Sequence, residues 1–388
     1  MRILVISAGY PSKLNKHTFG FVHARAKLYK KLGHSVYVLV PQYKNRDREI
    51  QSYFYECVGV LKASTNWIKE VIESIDPDVI AYHFPEPKVL SSLLSAKKPL
   101  VLWIHGADVL FTFFHNYYIP FYMISLFRGL LSILMDFKRD LSLRKIILKD
   151  KSIQIATPSF WMKKMILQYL ALPSSDQNRI HVIPNPVDIN KFKPIKPCYE
   201  RLRNIGISVR ALHYKYGVDI AVKAMCGLKN IELILVGDGP LRQYLKDMAE
   251  KCKANITFMY QGITHEELPK YYNEVGFFVA PSRTEAQGVA MCEALACGTP
   301  TIATKVGGIP EFVIHGYNGI LVKPDPVELR RAILNMVKMP AEGYCKMAQN
   351  AVNYAKIKYS SKIIIPKEIE LLSRSIELYN EYSKGDTK

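Results

Sequence analysis

The chain has 388 residues, 49% hydrophobic and 22% charged, which is enough for two ordinary α/β cores and unlike a disordered protein. Lysine and arginine number 53 against 34 acidic residues, and the formal charge of +19 favours an anionic partner: nucleic acid, an anionic membrane surface or a phosphorylated substrate. Seven cysteines, odd in number and without a C-x-x-C pair, indicate neither a zinc site nor a disulfide framework and fit a reducing compartment.

Met1-Arg2 leads straight into Ile3–Ile6, an apolar run too short for a signal peptide, which reads as a buried first strand. A helix follows near Phe21–Leu32, stopped by Gly33, and then a strand over Val36–Val40. Further strands are expected at Val79–Tyr82, Leu100–Ile104 and Ile153–Ala156, with helices near Trp67–Ser74 and Trp161–Leu170. Such alternation builds a doubly wound parallel sheet that binds ligands at the carboxyl ends of its strands. Val109–Phe127 carries no formal charge over nineteen residues, near the lower limit for a bilayer span. His115, Asn116, Pro120 and the aromatic crowding, with Lys138, Arg139, Arg144 and Lys145 beyond, suit an interfacial segment better. A pair of well-buried helices is the equal alternative.

Pro184-Asn185-Pro186, Pro194 and Pro197 interrupt both patterns and mark a boundary. Beyond it, strands are expected at Ile205–Val209, Ile231–Val236, Thr257–Tyr260, Phe277–Ala280 and Thr301–Ala303, and a final helix over Pro366–Tyr382. The chain therefore divides into a Rossmann-like domain over 1–190, a second over 191–365 and a C-terminal helix over 366–388 expected to pack toward the first domain. The two domains would face a ligand-binding cleft.

The densest chemical signal runs from Pro281 to Pro300. Pro281 ends a buried strand, Val289–Cys297 is rich in helix formers, and Gly298 with Pro300 stops the helix. Glu285 then lies in the loop at the strand's carboxyl end, and Glu293 in the early helix tilts back toward the same opening. Gly288 admits close approach of a ligand to backbone amides, and the helix start suits phosphate. Each glutamate alone reads as an ordinary loop acid or helix residue. Together, two carboxylates for sugar hydroxyls beside an anion-binding helix end make a nucleotide-sugar site.

This block resembles the E-x7-E signature of retaining glycosyltransferases of family 4, which have the GT-B fold of two Rossmann-like α/β domains. Val182–Asp188 with Phe192-Lys193-Pro194, Leu235–Pro240, Gly262 before Glu266-Glu267-Leu268, and Val306–Glu311 match the family in order, so the resemblance covers nearly the whole chain. It implies that Glu285 lies by the transferred sugar, that Glu293 holds the donor ribose, and that the Ala286, Gln287, Gly288 and Val289 loop meets sugar and phosphates. The family loop usually reads Glu-Gly-Phe-Gly, where this chain has Glu-Ala-Gln-Gly. Arg210 and Lys215, on a loop where Val209 replaces a glycine and Tyr216 is inserted, are expected on the donor diphosphate, stabilising charge on the leaving phosphate. Two surface cations on a loop are the alternative. His105, in His-Gly-Ala-Asp, is implied as a neighbour of the reacting sugar, with Asp108 orienting its loop. Gly20, Gly237 and Gly262 are implied to line the donor site, although relatives carry two glycines where this chain has Phe19-Gly20-Phe21.

The expected activity is transfer of a hexose-type sugar from a nucleotide-diphosphate sugar to a hydroxyl, with retained configuration, no metal and no cofactor beyond the donor. No Asp-x-Asp pair reads as a metal site, and no nucleophile is placed with a partner base. A glycan or lipid-linked acceptor is implied, at the cytoplasmic face of the plasma membrane, with an anionic membrane surface as a candidate partner. A non-catalytic nucleic-acid- or nucleotide-sugar-binding protein is the alternative. Nucleic-acid binding would need a continuous basic face with interleaved aromatics, which the scattered lysines do not form, so no nucleic-acid partner is expected. An epimerase or phosphorylase on the same fold would lack the two-glutamate block.

Overall fold

Strands buried on both faces need apolar residues at every position, whereas a half-exposed strand alternates. Phe277 and Val279 pack on one side of their strand and Phe278 and Ala280 on the other, all buried, as expected for a central strand between helices. The computed structural model of the chain describes residues 1–13, 19–43, 50–112, 126–260 and 263–385. It contains two compact units.

Unit 1 comprises residues 1–110, 134–186 and 364–388. Its strands are β1 (Arg2–Ser7), β2 (Ser35–Gln42), β3 (Gln51–Tyr55), β4 (Val58–Ser64), β5 (Val79–His83), β6 (Leu100–Trp103), β7 (Gln154–Thr157) and β8 (Ile180–Val182), in sheet order 3-4-2-1-5-6-7-8. All neighbours pair parallel except β3 with β4. The helices are α1 (Gly20–Lys31), α2 (Ile68–Ile75), α3 (Pro87–Ser95), α5 (Phe160–Tyr169) and, from residue 134 onward, α4 (Leu126–Lys149). The Ser159 hydroxyl caps α5, accepting from the Met162 amide at 3.2 Å.

Unit 2 comprises residues 111–133 and 187–363. β9 (Leu202–Val209), β10 (Glu232–Val236), β11 (Ile256–Met259), β12 (Val275–Ala280), β13 (Thr301–Thr304) and β14 (Gly319–Val322) form a parallel sheet in the order 11-10-9-12-13-14. Its helices are α6 (Val218–Met225), α7 (Arg242–Lys251), α8 (Leu268–Glu274), α9 (Val289–Ala296), α10 (Pro326–Lys338) and α11 (Ala341–Lys358). One apolar cluster includes α6, α7 and α10, and a second includes α8, α9 and α11. Crossover helices thus cover both faces, as parallel pairing requires.

The last helix, α12, runs from Ser361 to Gly385 and contains Pro366 in its first turns, whereas the sequence places the helix start at that proline. Buried Ile364 and Ile365 carry the helix upstream, because packing into the unit 1 core outweighs the lost amide. Arg25 and Glu368, 343 residues apart, form a fully buried ion pair at 2.8 Å that ties α12 to α1. Tyr29 donates to the other Glu368 oxygen, and Arg25 to Asn185 at 2.9 Å.

Two sequence expectations change. Cys198 bonds to Cys345 and Cys226 to Cys252, with Cα separations of 5.4 and 5.2 Å, so four of the seven cysteines form disulfides. Cys226 and Cys252 follow the neighbouring helices α6 and α7, a proximity that sequence spacing does not carry. The well-buried helix pair is also absent from the described part of 109–135. There, α4 exposes Phe127, Leu130, Leu131, Leu134 and Met135. Residues 113–125 lie outside the described residues. Among those described, no helix is long and apolar enough to cross a membrane.

Candidate donor site and a histidine pair

In unit 2, the loops after β9 and β12 meet at the carboxyl ends of adjacent strands. Arg210, the first residue past β9, is buried, and its Nη1 donates to Glu285 Oε2 at 2.7 Å. The guanidinium lies 5.4 Å from the Tyr216 ring and 6.0 Å from that of Phe278. Its Nε and Nη2 are buried and have no hydrogen-bond partner among the described residues. Arg210 is therefore a preorganised cation with two donors to spare, and not a surface cation.

Backbone contacts fix this geometry. Gly237 has φ 132°, and a Cβ there would lie 2.1 Å from the Arg210 carbonyl oxygen, so glycine lets the β10 loop close on the arginine loop. Gly307, at φ 54°, similarly approaches Glu285: a Cβ would lie 2.2 Å from its carbonyl oxygen, which accepts from the Gly308 amide at 2.9 Å. Arg283 braces the two loops together. It binds both oxygens of Asp219 at 2.7 Å, donates to the Tyr214 carbonyl at 2.8 Å and stacks 3.6 Å over the Tyr214 ring. Its amide donates to the Lys215 carbonyl at 2.7 Å. Lys215 is half-buried, with Nζ 4.6 Å from the centre of the Tyr216 ring.

Beyond Glu285, Ala286 is half-buried and Gln287 buried, its amide 3.8 Å from Cys292 Sγ. Gly288 precedes α9 in a left-handed conformation, and Val289 opens the helix. The first amides of α9 lack intrahelical acceptors, as in any helix, and carry its positive dipole end. Arginine, helix start and carboxylate together can hold an anionic group beside hydroxyls.

Glu293, one turn into α9, is buried and paired separately from Arg210. Lys191 Nζ lies 2.9 Å from His265 Nδ1, and His265 Nε2 lies 2.7 Å from Glu293 Oε1. Because the ammonium only donates, Nδ1 accepts, and Nε2–H donates to the glutamate. Lys191 also pairs with Glu266 at 2.6 Å. Sequence reasoning missed His265 and Lys191, for nothing in Thr264-His265-Glu266 marks a partner 28 residues away. Gly262 lies outside the described residues.

In unit 1, His105 stands just past β6. Asp108 holds its loop, accepting from the His105 amide at 2.9 Å and the Gly106 amide at 2.6 Å. Burial pushes the Asp108 carboxyl up to about 6. His105 Nε2 lies 3.0 Å from Nδ1 of His83, the last residue of β5, which no sequence motif singles out. Both imidazoles are pushed well below the usual histidine range, chiefly by burial and then by nearby positive charge. Gly20 opens α1, exposed, with open space where a Cβ would stand. The left-handed residue is Phe19, at φ 51°, whose ring packs 5.2 Å from Phe84. The strained position of this turn is therefore not the glycine.

The family described as "Glycosyltransferase Family 4" matches residues 21–191, and "Glycosyl transferases group 1" matches residues 199–358. An uncharacterized glycosyltransferase of Methanocaldococcus jannaschii is 34% identical over 135 residues, 34% of this chain and 38% of that protein. A phosphatidylinositol N-acetylglucosaminyltransferase component of Arabidopsis thaliana is 27% identical over 369 residues, covering 89% of this chain and 77% of the relative. The fold is similar to that of Anabaena HepE, solved in complex with UDP and glucose, at a TM-score of 0.72 and 19% identity over 96% of this chain and 99% of that one.

Proposed function

The chain belongs to the group 1, family 4 glycosyltransferases of the GT-B fold, and from that premise we propose that it moves a hexose-type sugar from a nucleoside-diphosphate sugar to a hydroxyl acceptor with retained configuration and without a metal. The observation that carries the reading is Arg210, buried against Glu285 with two unmatched donors beside the start of α9. The donor diphosphate supplies oxygens for those donors and for Lys215, and Glu285 faces the sugar. As the glycosidic bond to the phosphate breaks, the two cations and the helix end take up the growing negative charge. The acceptor hydroxyl attacks from the same face and gives its proton to the departing phosphate oxygen. Glu293 receives the ribose hydroxyls, and His105 lies by the sugar. A thermal-shift panel of nucleotides and nucleotide sugars tests donor binding, since a ligand at a hundred times its Kd stabilises by about 2.7 kcal/mol. Glu293→Ala and Lys215→Ala are each expected to abolish transfer in a folded protein, and near-normal turnover would refute the assignment. Unchanged turnover after chelation, with retained anomeric configuration by NMR, tests the rest.

We further propose a lipid-linked acceptor at the cytoplasmic membrane surface. The Arabidopsis relative is named for phosphatidylinositol, and α4 supports the reading. Its exposed Phe127, Leu130, Leu131, Leu134, Met135 and Phe137 share an outward face with exposed Lys138 and Lys145, while Asp136 and Asp140 are buried against Arg139. An apolar face flanked by cations alone is complementary to an anionic bilayer. The protein should float with vesicles containing phosphatidylglycerol, and Leu134→Asp with Met135→Asp should leave it at the bottom. Wild-type protein that stays at the bottom argues for a soluble acceptor.

A further inference from the structure

The His83–His105 contact is not explained by packing alone. His83 ends β5, fully buried, with its ring 5.2 Å from that of Trp103 and 5.3 Å from that of His105. Phe21 and Phe84 flank His105 at 5.1 and 4.6 Å. The nearby charge is Arg25, a cation that opposes protonation of either ring. With both imidazoles neutral, a single proton lies between His83 Nδ1 and His105 Nε2, and its owner decides what His105 offers at its remaining nitrogen.

The far nitrogen of His83 decides between the two arrangements. His83 Nε2 is buried and has no partner among the described residues. If His105 Nε2 carried the shared proton, His83 Nε2 would have to carry one too, leaving an orphaned buried N–H. If His83 Nδ1 carries it, Nε2 is only a bare lone pair. Buried unpaired donors are rarer than under-used acceptors, so the second arrangement is favoured. His105 must then hold its own proton on Nδ1, because its Nε2 is accepting.

We infer that His83 is a positioning residue that fixes the tautomer of His105, so that His105 presents Nδ1–H as a hydrogen-bond donor to a hydroxyl oxygen of the transferred sugar. The sugar contact rests on the proposed transferase reading. The tautomer relation does not. A histidine here that presented a bare nitrogen could accept from a hydroxyl but could not donate to one. His83 therefore sets the sense of the hydrogen bond without touching the ligand.

Nitrogen-15 NMR of the full-length protein labelled at histidine tests this directly. His105 should show a protonated-type Nδ1 and an unprotonated-type Nε2. His83→Leu should convert it to a mixture of tautomers and lower kcat/KM for the donor roughly tenfold, the effect of one misdirected hydrogen bond. His83→Asn, whose amide nitrogen can stand where Nδ1 did, should restore both the spectrum and the rate to within about threefold. A wild-type spectrum with the proton on His105 Nε2 would overturn the inference even if the leucine variant did not fold. So would a leucine variant that kept the wild-type tautomer. A tautomer change in the leucine variant with unaltered transfer would uphold the His83–His105 relation and instead remove His105 from the proposed sugar site.

Discussion

Replacing Arg210 by alanine tests the donor-site geometry most sharply. The guanidinium is almost wholly buried, bonded through Nη1 to Glu285, with Nε and Nη2 unmatched. A diphosphate that supplies acceptors to both gains two charge-assisted hydrogen bonds, each about 1.5–3 kcal/mol. Part of that gain is offset because the phosphate leaves water and Glu285 repels it. A net loss of about 3 kcal/mol in Arg210→Ala is expected, roughly a hundredfold in Kd. Arg210→Lys keeps the charge but not the planar fork and should lose about tenfold. Calorimetric titration with a nucleoside diphosphate and with the matching nucleoside separates the phosphate contribution from the base and ribose. The alanine variant should lose affinity for the first and keep it for the second. Equal losses for both would mean a collapsed site, and an unchanged diphosphate affinity would refute the role of Arg210. Glu285→Gln removes the competing charge and should hold or tighten diphosphate binding while transfer falls.

Thiol titration of the unfolded, unreduced chain should find three free cysteines (Cys57, Cys292 and Cys297), rising to seven after reduction, and only exposed Cys57 should react in the folded protein. Cys198→Ser, which opens a link spanning 147 residues, should cost about 2–4 kcal/mol of stability and lower the thermal midpoint. Glu368→Leu should destabilise by about 3–5 kcal/mol because it strands the buried Arg25, and Arg25→Met in the same chain should recover most of the loss in denaturant titrations. Asp108 is raised from 3.8 to about 6 on folding, so the fold holds its proton more tightly than the unfolded chain. Its contribution is complete below about pH 4 and is lost as the pH rises to about 6, by at most about 3 kcal/mol. Urea midpoints at pH 4.5 and 7 should therefore fall less in Asp108→Asn than in wild type, and parallel falls would contradict this burial-driven titration.

Much of the architecture is legible in the sequence because strand and helix periods are local. The first strand, the helix after it and the run Phe277–Ala280 can be read from side-chain order alone, since a strand buried on both faces leaves no polar position. Weaker signals escape such a reading. β3 and β4 are partly exposed and mix polar with apolar residues, and α10 is announced by Asp325, whose carboxylate caps the Val327 and Glu328 amides, and by Pro326 at its first position. Within the candidate site, Glu285, Arg210 and the glycines around them stand in loops whose residue types carry their own turn chemistry.

Composition, periodicity and the order of the motifs by themselves determined two doubly wound α/β halves and the glycosyltransferase family, because those signals are written in neighbouring residues. Tertiary structure alone decided that Cys226 meets Cys252, that one oxygen of Glu293 pairs with His265, that His83 sits on His105 and that Arg25 pairs with a residue 343 positions away. Each of those contacts joins side chains from separate segments. Their energies arise from burial, from the pairing of charges and donors and, for the cysteines, from a covalent link, and each exists only once the chain has brought those segments together.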